Sequence, residues 1–104
     1  MPQYKVEVSE LAENDLRDIV RYVSSQLAAP MTALNMLETI ENALLGLRDM
    51  PYGFSAVRDE QLASMGYHRL DIKNYTAFYT IDEKQKAVYV VRILYARRDW
   101  INLL

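Results

Sequence analysis

The chain has 104 residues, 51% of them apolar and 25% charged, with a net charge of −2 and no cysteine. That length suits one domain, and the composition is that of a folded protein rather than a disordered one. The absence of cysteine excludes a disulfide framework and a thiolate zinc site, and no apolar run approaches the roughly 18 residues a membrane span needs. The start of the chain lacks a basic segment followed by an apolar stretch, so no signal peptide is expected and a soluble cytoplasmic protein is the plain expectation.

Tyr4–Val8 alternates apolar and charged residues, the pattern of a half-buried strand. Ser9 follows as a helix N-cap, with Glu10, Glu13 and Asp15 where negative charge suits the helix dipole. Ala12, Leu16, Ile19, Val20, Val23 and Leu27 recur at steps of three and four, which predicts an amphipathic helix. Pro30 opens a second helix that extends to Arg48, with Ala33, Leu34, Leu37, Ile40, Leu44 and Leu47 on its apolar face. The two helices read as a hairpin. Pro51-Tyr52-Gly53 ends the pair, Ser55-Ala56-Val57 is a candidate short edge strand, and Gly66 is a break.

Strands follow at Tyr67–Ile72 and Tyr75–Ile81, joined by Lys73-Asn74 as a tight hairpin. Asp82–Lys86 is a polar turn, and Ala87–Tyr95 is a nearly continuous β-branched run that reads as a central strand. The order strand, two helices, strands predicts a two-layer α+β domain over residues 1–104.

Charge is uneven: residues 1–64 carry −5 and residues 65–104 carry +3. Solvated acidic helix faces account for this, and so does a basic working surface on the C-terminal half. The basic set is Arg69, Lys73, Arg92, Arg97 and Arg98. Arg92 interrupts an apolar strand, so it needs solvent, a ligand or a carboxylate; Asp71 and Asp99 are the candidate internal partners. His68, the only histidine, has the titration range of a general base, although a lone histidine on a strand is more often structural. Of the eight tyrosines five lie between residues 67 and 95, where cross-strand packing explains them; Tyr75, Ala77, Tyr79 and Ile81 share one strand face and read as core. No glycine-rich phosphate loop, metal-spaced cluster or nucleophile elbow is present, so neither metal nor cofactor is expected.

Gly66-Tyr67-His68-Arg69, Tyr75-Thr76-Ala77-Phe78-Tyr79 and Val91–Trp100 together resemble the closing hairpin and C-terminal signature of the RelE/ParE toxins, commonly G-[YIL]-R, N-Y-x-x-F-Y and R-I-L-[HY]-[GA]-R-R-D. Ser9–Leu16 resembles the family opening, S-x-x-A-x-x-D-L, so the likeness spans the chain in order. It implies a β-α-α-β4 domain, a helical hairpin on one face of an antiparallel sheet, with the first strand beside the last. It also implies the toxin of a bacterial type II toxin–antitoxin module, of the kind associated with plasmid stabilization, whose cognate antitoxin wraps the toxin and makes any contact with operator DNA.

The family divides by target. RelE-like members are ribosome-dependent mRNA endoribonucleases built on a basic cluster, commonly with a C-terminal tyrosine; ParE-like members poison DNA gyrase by binding it. Here Tyr75-Thr76-Ala77-Phe78 lacks the arginine of the RelE-like strand, and the tail Trp100–Leu104 has no tyrosine, which favours the ParE-like branch. A ribonuclease, an inactive antitoxin-binding relic and an unrelated interaction module are the alternatives. Arg69, Arg98 and His68 are the candidates for catalysis, and Arg69, Arg92, Tyr95, Arg97, Arg98 and Trp100 for contact with target or antitoxin.

Overall fold

The computed structural model describes residues 3–52, 60–96 and 103–104. Strand β1 (Lys5–Val8) leads into helix α1 (Glu10–Arg21), and a π-helical turn, Tyr22–Gln26, extends it. Helix α2 (Pro30–Leu45) follows, closed by a 3-10 turn at Gly46–Arg48. A short helix α3 (Glu60–Ser64) precedes strands β2 (His68–Ile72), β3 (Tyr75–Asp82) and β4 (Ala87–Tyr95). The expected edge strand at Ala56-Val57 lies outside the described residues.

Ser9 caps α1 as expected: its hydroxyl oxygen accepts the Ala12 N–H at 3.0 Å. The same hydroxyl donates to the Val91 carbonyl at 3.0 Å, and the Ser9 N–H donates to the Val90 carbonyl at 2.9 Å. One residue thus starts the helix and pins it to β4. The helix expected to continue to Leu27 instead widens in its last turn, where the Leu27 N–H reaches back five residues to the Tyr22 carbonyl. Ala28 then takes a positive φ of 49°, and Pro30 sits at the first position of α2.

The sheet order is β1-β4-β3-β2. β2, β3 and β4 run antiparallel, but β1 pairs with β4 in parallel, Lys5 opposite Ala87 through Val8 opposite Val90. The sheet is therefore mixed, a correction to the wholly antiparallel expectation. The physical reason is the helical hairpin, a crossover long enough to return the chain in the same direction. Phe78 faces Arg92 while Tyr79 faces Val90, so Val91 is the extra residue of a bulge, and Ser9 docks there.

The main core lies between the helices and one sheet face, with Ala12, Ile40, Leu44, Leu47, Leu70, Ile72, Ala77, Tyr79, Val88, Val90 and Ile93 buried. Phe78 and Leu94 are buried on the opposite face, packed against Tyr67, Val91, Leu103 and Leu104. Thr76 through Tyr79 of β3 are buried on both faces, and Ala87, Val88, Val90, Ile93 and Leu94 are buried on β4, which explains why β4 reads as a nearly continuous apolar run. Among the described residues no helix is long and apolar enough to cross a membrane.

Candidate functional site

The strand arginines meet around Phe78. Arg69 on β2 and Arg92 on β4 are both opposite Phe78 in register, one on each side. Neither guanidinium is unpaired. Arg69 donates to Asp71 Oδ1 from Nη2 at 2.8 Å, and Thr76 Oγ1 donates to the same oxygen at 3.0 Å. Arg92 is held internally, as expected, but by a residue the sequence reading did not choose. Asp15 on α1 accepts Arg92 Nε at 2.7 Å and Nη2 at 2.8 Å, with only 15% and 11% of the two side chains exposed. This bidentate bond raises the Arg92 pKa above its ordinary value. Arg92 Nη1 also donates to the Leu103 carbonyl at 3.2 Å. Asp71, one expected partner of Arg92, is taken by Arg69 and Thr76; Asp99, the other, lies outside the described residues.

Asp15 has a second task. Ala77 and Ile93 face each other two residues along from the pair Tyr75 and Tyr95. The Ala96 N–H donates to the Asn74 carbonyl at 2.8 Å, which makes Tyr75 and Tyr95 a non-hydrogen-bonded pair. By strand alternation the Ile93 N–H then points away from β3, beyond the end of β1. Asp15 Oδ2 accepts it at 3.0 Å, so the helix covers a strand edge that β1 leaves open. A signal for this was present. Asp15 sits three residues after Ala12 and four before Ile19, inside the apolar stripe of α1, where a carboxylate requires a donor.

His68 lies between two tyrosines. It stacks on Tyr79 with centroids 5.4 Å apart and meets the edge of Tyr52 at 5.7 Å. Burial pushes its pKa below the ordinary histidine value, which favours the neutral imidazole. The Tyr79 hydroxyl, buried, donates to the Pro51 carbonyl at 2.6 Å, and burial raises its pKa to about 12. Tyr79 and Ala77 are core, as the strand pattern predicts.

Tyr95 is 43% exposed, its ring 5.9 Å from that of Tyr75. These two, with Tyr22, Leu27, Ile19 and Met36, line a groove of about 570 Å³ between the hairpin end and the helices. Burial, then the neighbouring hydroxyls of Tyr95 and Tyr22, raise the Tyr75 pKa. Arg97, Arg98 and Trp100 lie outside the described residues; they follow directly on the Tyr95 end of β4.

Residues 6–100 match the family model described as the ParE toxin of the type II toxin–antitoxin system, parDE. The chain belongs to the ParE toxin family. Comparison with curated proteins gives no match. Among solved structures, the chromosomal ParDE system of P. aeruginosa superposes with a TM-score of 0.71 at 19% identity, over 91% of this chain and 98% of the other. The free E. coli toxin RelE, in a mutant form, gives 0.67 at 14% identity, over 97% and 92%. The RelBE2 toxin–antitoxin complex of Mycobacterium tuberculosis gives 0.60 at 20%, over 89% and 98%. At these identities the structures establish a shared fold, and the α+β arrangement of this ParE-family toxin matches it.

Proposed function

We propose that this ParE-family toxin acts in the cytoplasm as one domain that poisons DNA gyrase by binding it, and that a cognate antitoxin neutralises it. The observation that carries this reading is the state of the residues that RNA cleavage would need. Cleavage without a metal requires proton-transfer groups at the attacking 2′-hydroxyl and the leaving 5′-oxygen, with cations at the phosphate. Among the described residues, Arg69 and Arg92 are paired with Asp71 and Asp15. The sole imidazole is enclosed between Tyr52 and Tyr79 rather than set beside either arginine in a hydrogen-bonded array. Thr76, Ala77 and Phe78, on the strand where the resemblance leads one to expect an arginine in RelE-like toxins, are all buried, so that strand offers no catalytic cation there.

The contact surface in this reading is the sheet face away from the helical hairpin together with the end of β4. Arg69, Tyr95, Arg97, Arg98 and Trp100 are its contact residues, while Arg92 is tied to Asp15 and the Leu103 carbonyl. An acidic antitoxin segment suits the positive C-terminal third. Operator DNA is reached through the antitoxin. Induced expression of the chain, with and without the antitoxin, tests the proposal by scoring growth, supercoiling and mRNA integrity together. Arrest with altered supercoiling and intact mRNA, relieved by the antitoxin, is expected; specific cuts in ribosome-bound mRNA would restore the ribonuclease reading.

A further inference from the structure

Glu83 lies in the β3–β4 turn, far from the arginines, and collects donors from three separate parts of the chain. The Tyr4 hydroxyl lies 2.8 Å and 3.0 Å from its two oxygens, and the Lys86 ammonium donates at 2.8 Å. The Tyr52 hydroxyl donates to Oε1. The turn is itself fixed, because Asp82 Oδ1 accepts the N–H groups of Lys84 and Gln85 at 3.0 and 3.1 Å and Lys86 adopts a φ of 50°. Lys86 also sits over the Tyr4 ring, 5.3 Å from its centroid. Lys86 first, then Tyr52 and Tyr4, lower the Glu83 pKa to about 2, and the bond to Glu83 raises that of Tyr52 to about 12. Exposed ion pairs add little to global stability, so any role of this cluster is a local one.

Tyr52 supplies one. It follows α2 by a few residues, and the preceding Pro51 carbonyl is tied to Tyr79. Its ring meets His68 edge-on, in addition to the Tyr79 ring stacked on that imidazole, while its hydroxyl ends on Glu83. With 58% of Tyr52 exposed, its packing alone is a weak hold.

We propose that Glu83 is a positioning residue for His68: through the Tyr52 hydroxyl it holds the Tyr52 ring against the imidazole. Releasing that bond presents the chain's one imidazole to solvent while the sheet stays intact. The inference does not depend on which target the toxin attacks, since it concerns a cluster outside the proposed contact surface.

The test uses the full chain, as the wild type and as Glu83→Gln, Tyr52→Phe, Tyr4→Phe and Lys84→Ala. Two quantities are read: the NMR titration of His68 and its rate of carbethoxylation by diethyl pyrocarbonate. Tyr52→Phe should raise the His68 pKa toward the ordinary value and speed its modification several-fold, and Glu83→Gln, whose amide oxygen can still accept from the phenol, should do so to a smaller extent. The double variant should go no further than Tyr52→Phe alone, because both act on one bond. Tyr4→Phe should change His68 less, and Lys84→Ala, in the same turn but outside the cluster, should leave it at the wild-type values. Amide exchange across Thr76–Ile81 should stay as in the wild type, separating local release from general loosening. Wild-type His68 reactivity and titration in folded Tyr52→Phe, or an equal change in Lys84→Ala, would overturn the proposal.

Discussion

Replacing Asp15 with alanine removes three hydrogen bonds at once, two from Arg92 and one from the Ile93 N–H. The guanidinium that remains is largely buried and, among the described residues, keeps the Leu103 carbonyl as its acceptor. Breaking a buried pair in this way costs about 3–5 kcal/mol, and orphaning the strand N–H adds to it without full additivity. A chain of this length has roughly 5–15 kcal/mol of stability in all, so the variant loses a large share. At roughly 5 °C per kcal/mol the midpoint should fall by about 15–25 °C. Asp15→Asn, which retains one acceptor, should fall between. The double variant Asp15→Ala with Arg92→Met should recover most of the loss, leaving about 1–2 kcal/mol for the Ile93 N–H. Calorimetry with urea unfolding reads these values, and an unchanged slope in urea shows that the same folded state is being compared. A loss under about 1 kcal/mol for Asp15→Ala, or a double variant worse than the sum of the singles, would refute the assignment of Asp15 as the counter-ion of Arg92.

Ser9→Ala removes both the α1 cap and the bond to the Val91 carbonyl, and should cost about 1–2 kcal/mol by urea unfolding. The Tyr79 phenol, whose folded pKa is raised to about 12 from 10.0, contributes stability that is complete below the unfolded value and is lost as pH rises from about 10 to about 12. Unfolding measured from about pH 9 to about pH 12, in steps of about one unit, should show that decline in the wild type and a flatter profile in Tyr79→Phe. In toxicity assays Arg98→Ala should weaken growth arrest through binding, whereas His68→Gln should leave it largely unchanged; loss of toxicity in His68→Gln at wild-type protein levels would count against the binding reading.

Legibility from sequence followed distance along the chain. The Ser9 cap, the Lys73-Asn74 connection and the β4 run depend on neighbours within a few residues, and the structure has each in place. Lys73 takes the positive φ of 57° that a tight two-residue connection requires. The parallel pairing of β1 with β4 joins the two ends of the fold, and no local pattern records strand direction. Arg92 could be recognised as needing a carboxylate, but Asp71 and Asp99 were the candidates its neighbourhood in sequence offered, and only the docking of α1 on the bulge selects Asp15, 77 residues away. Tyr4, Tyr52 and Glu83 gave no signal at all, because exposed polar residues in turns are ordinary until the fold brings them together. The widened end of α1 was equally hidden: its residues keep the helical spacing, and only the structure shows the Leu27 N–H bonding to the Tyr22 carbonyl and the Ala29 N–H to the Val23 carbonyl.

The central claim is a binding poison of gyrase, and purified components test it most directly. The toxin is added to gyrase with supercoiled DNA, and in parallel to translating ribosomes carrying a defined mRNA, each with and without the antitoxin. The account predicts inhibited supercoiling or trapped gyrase–DNA cleavage, abolished by the antitoxin, with the mRNA left whole. Untouched gyrase activity beside site-specific mRNA cleavage on the ribosome would contradict it.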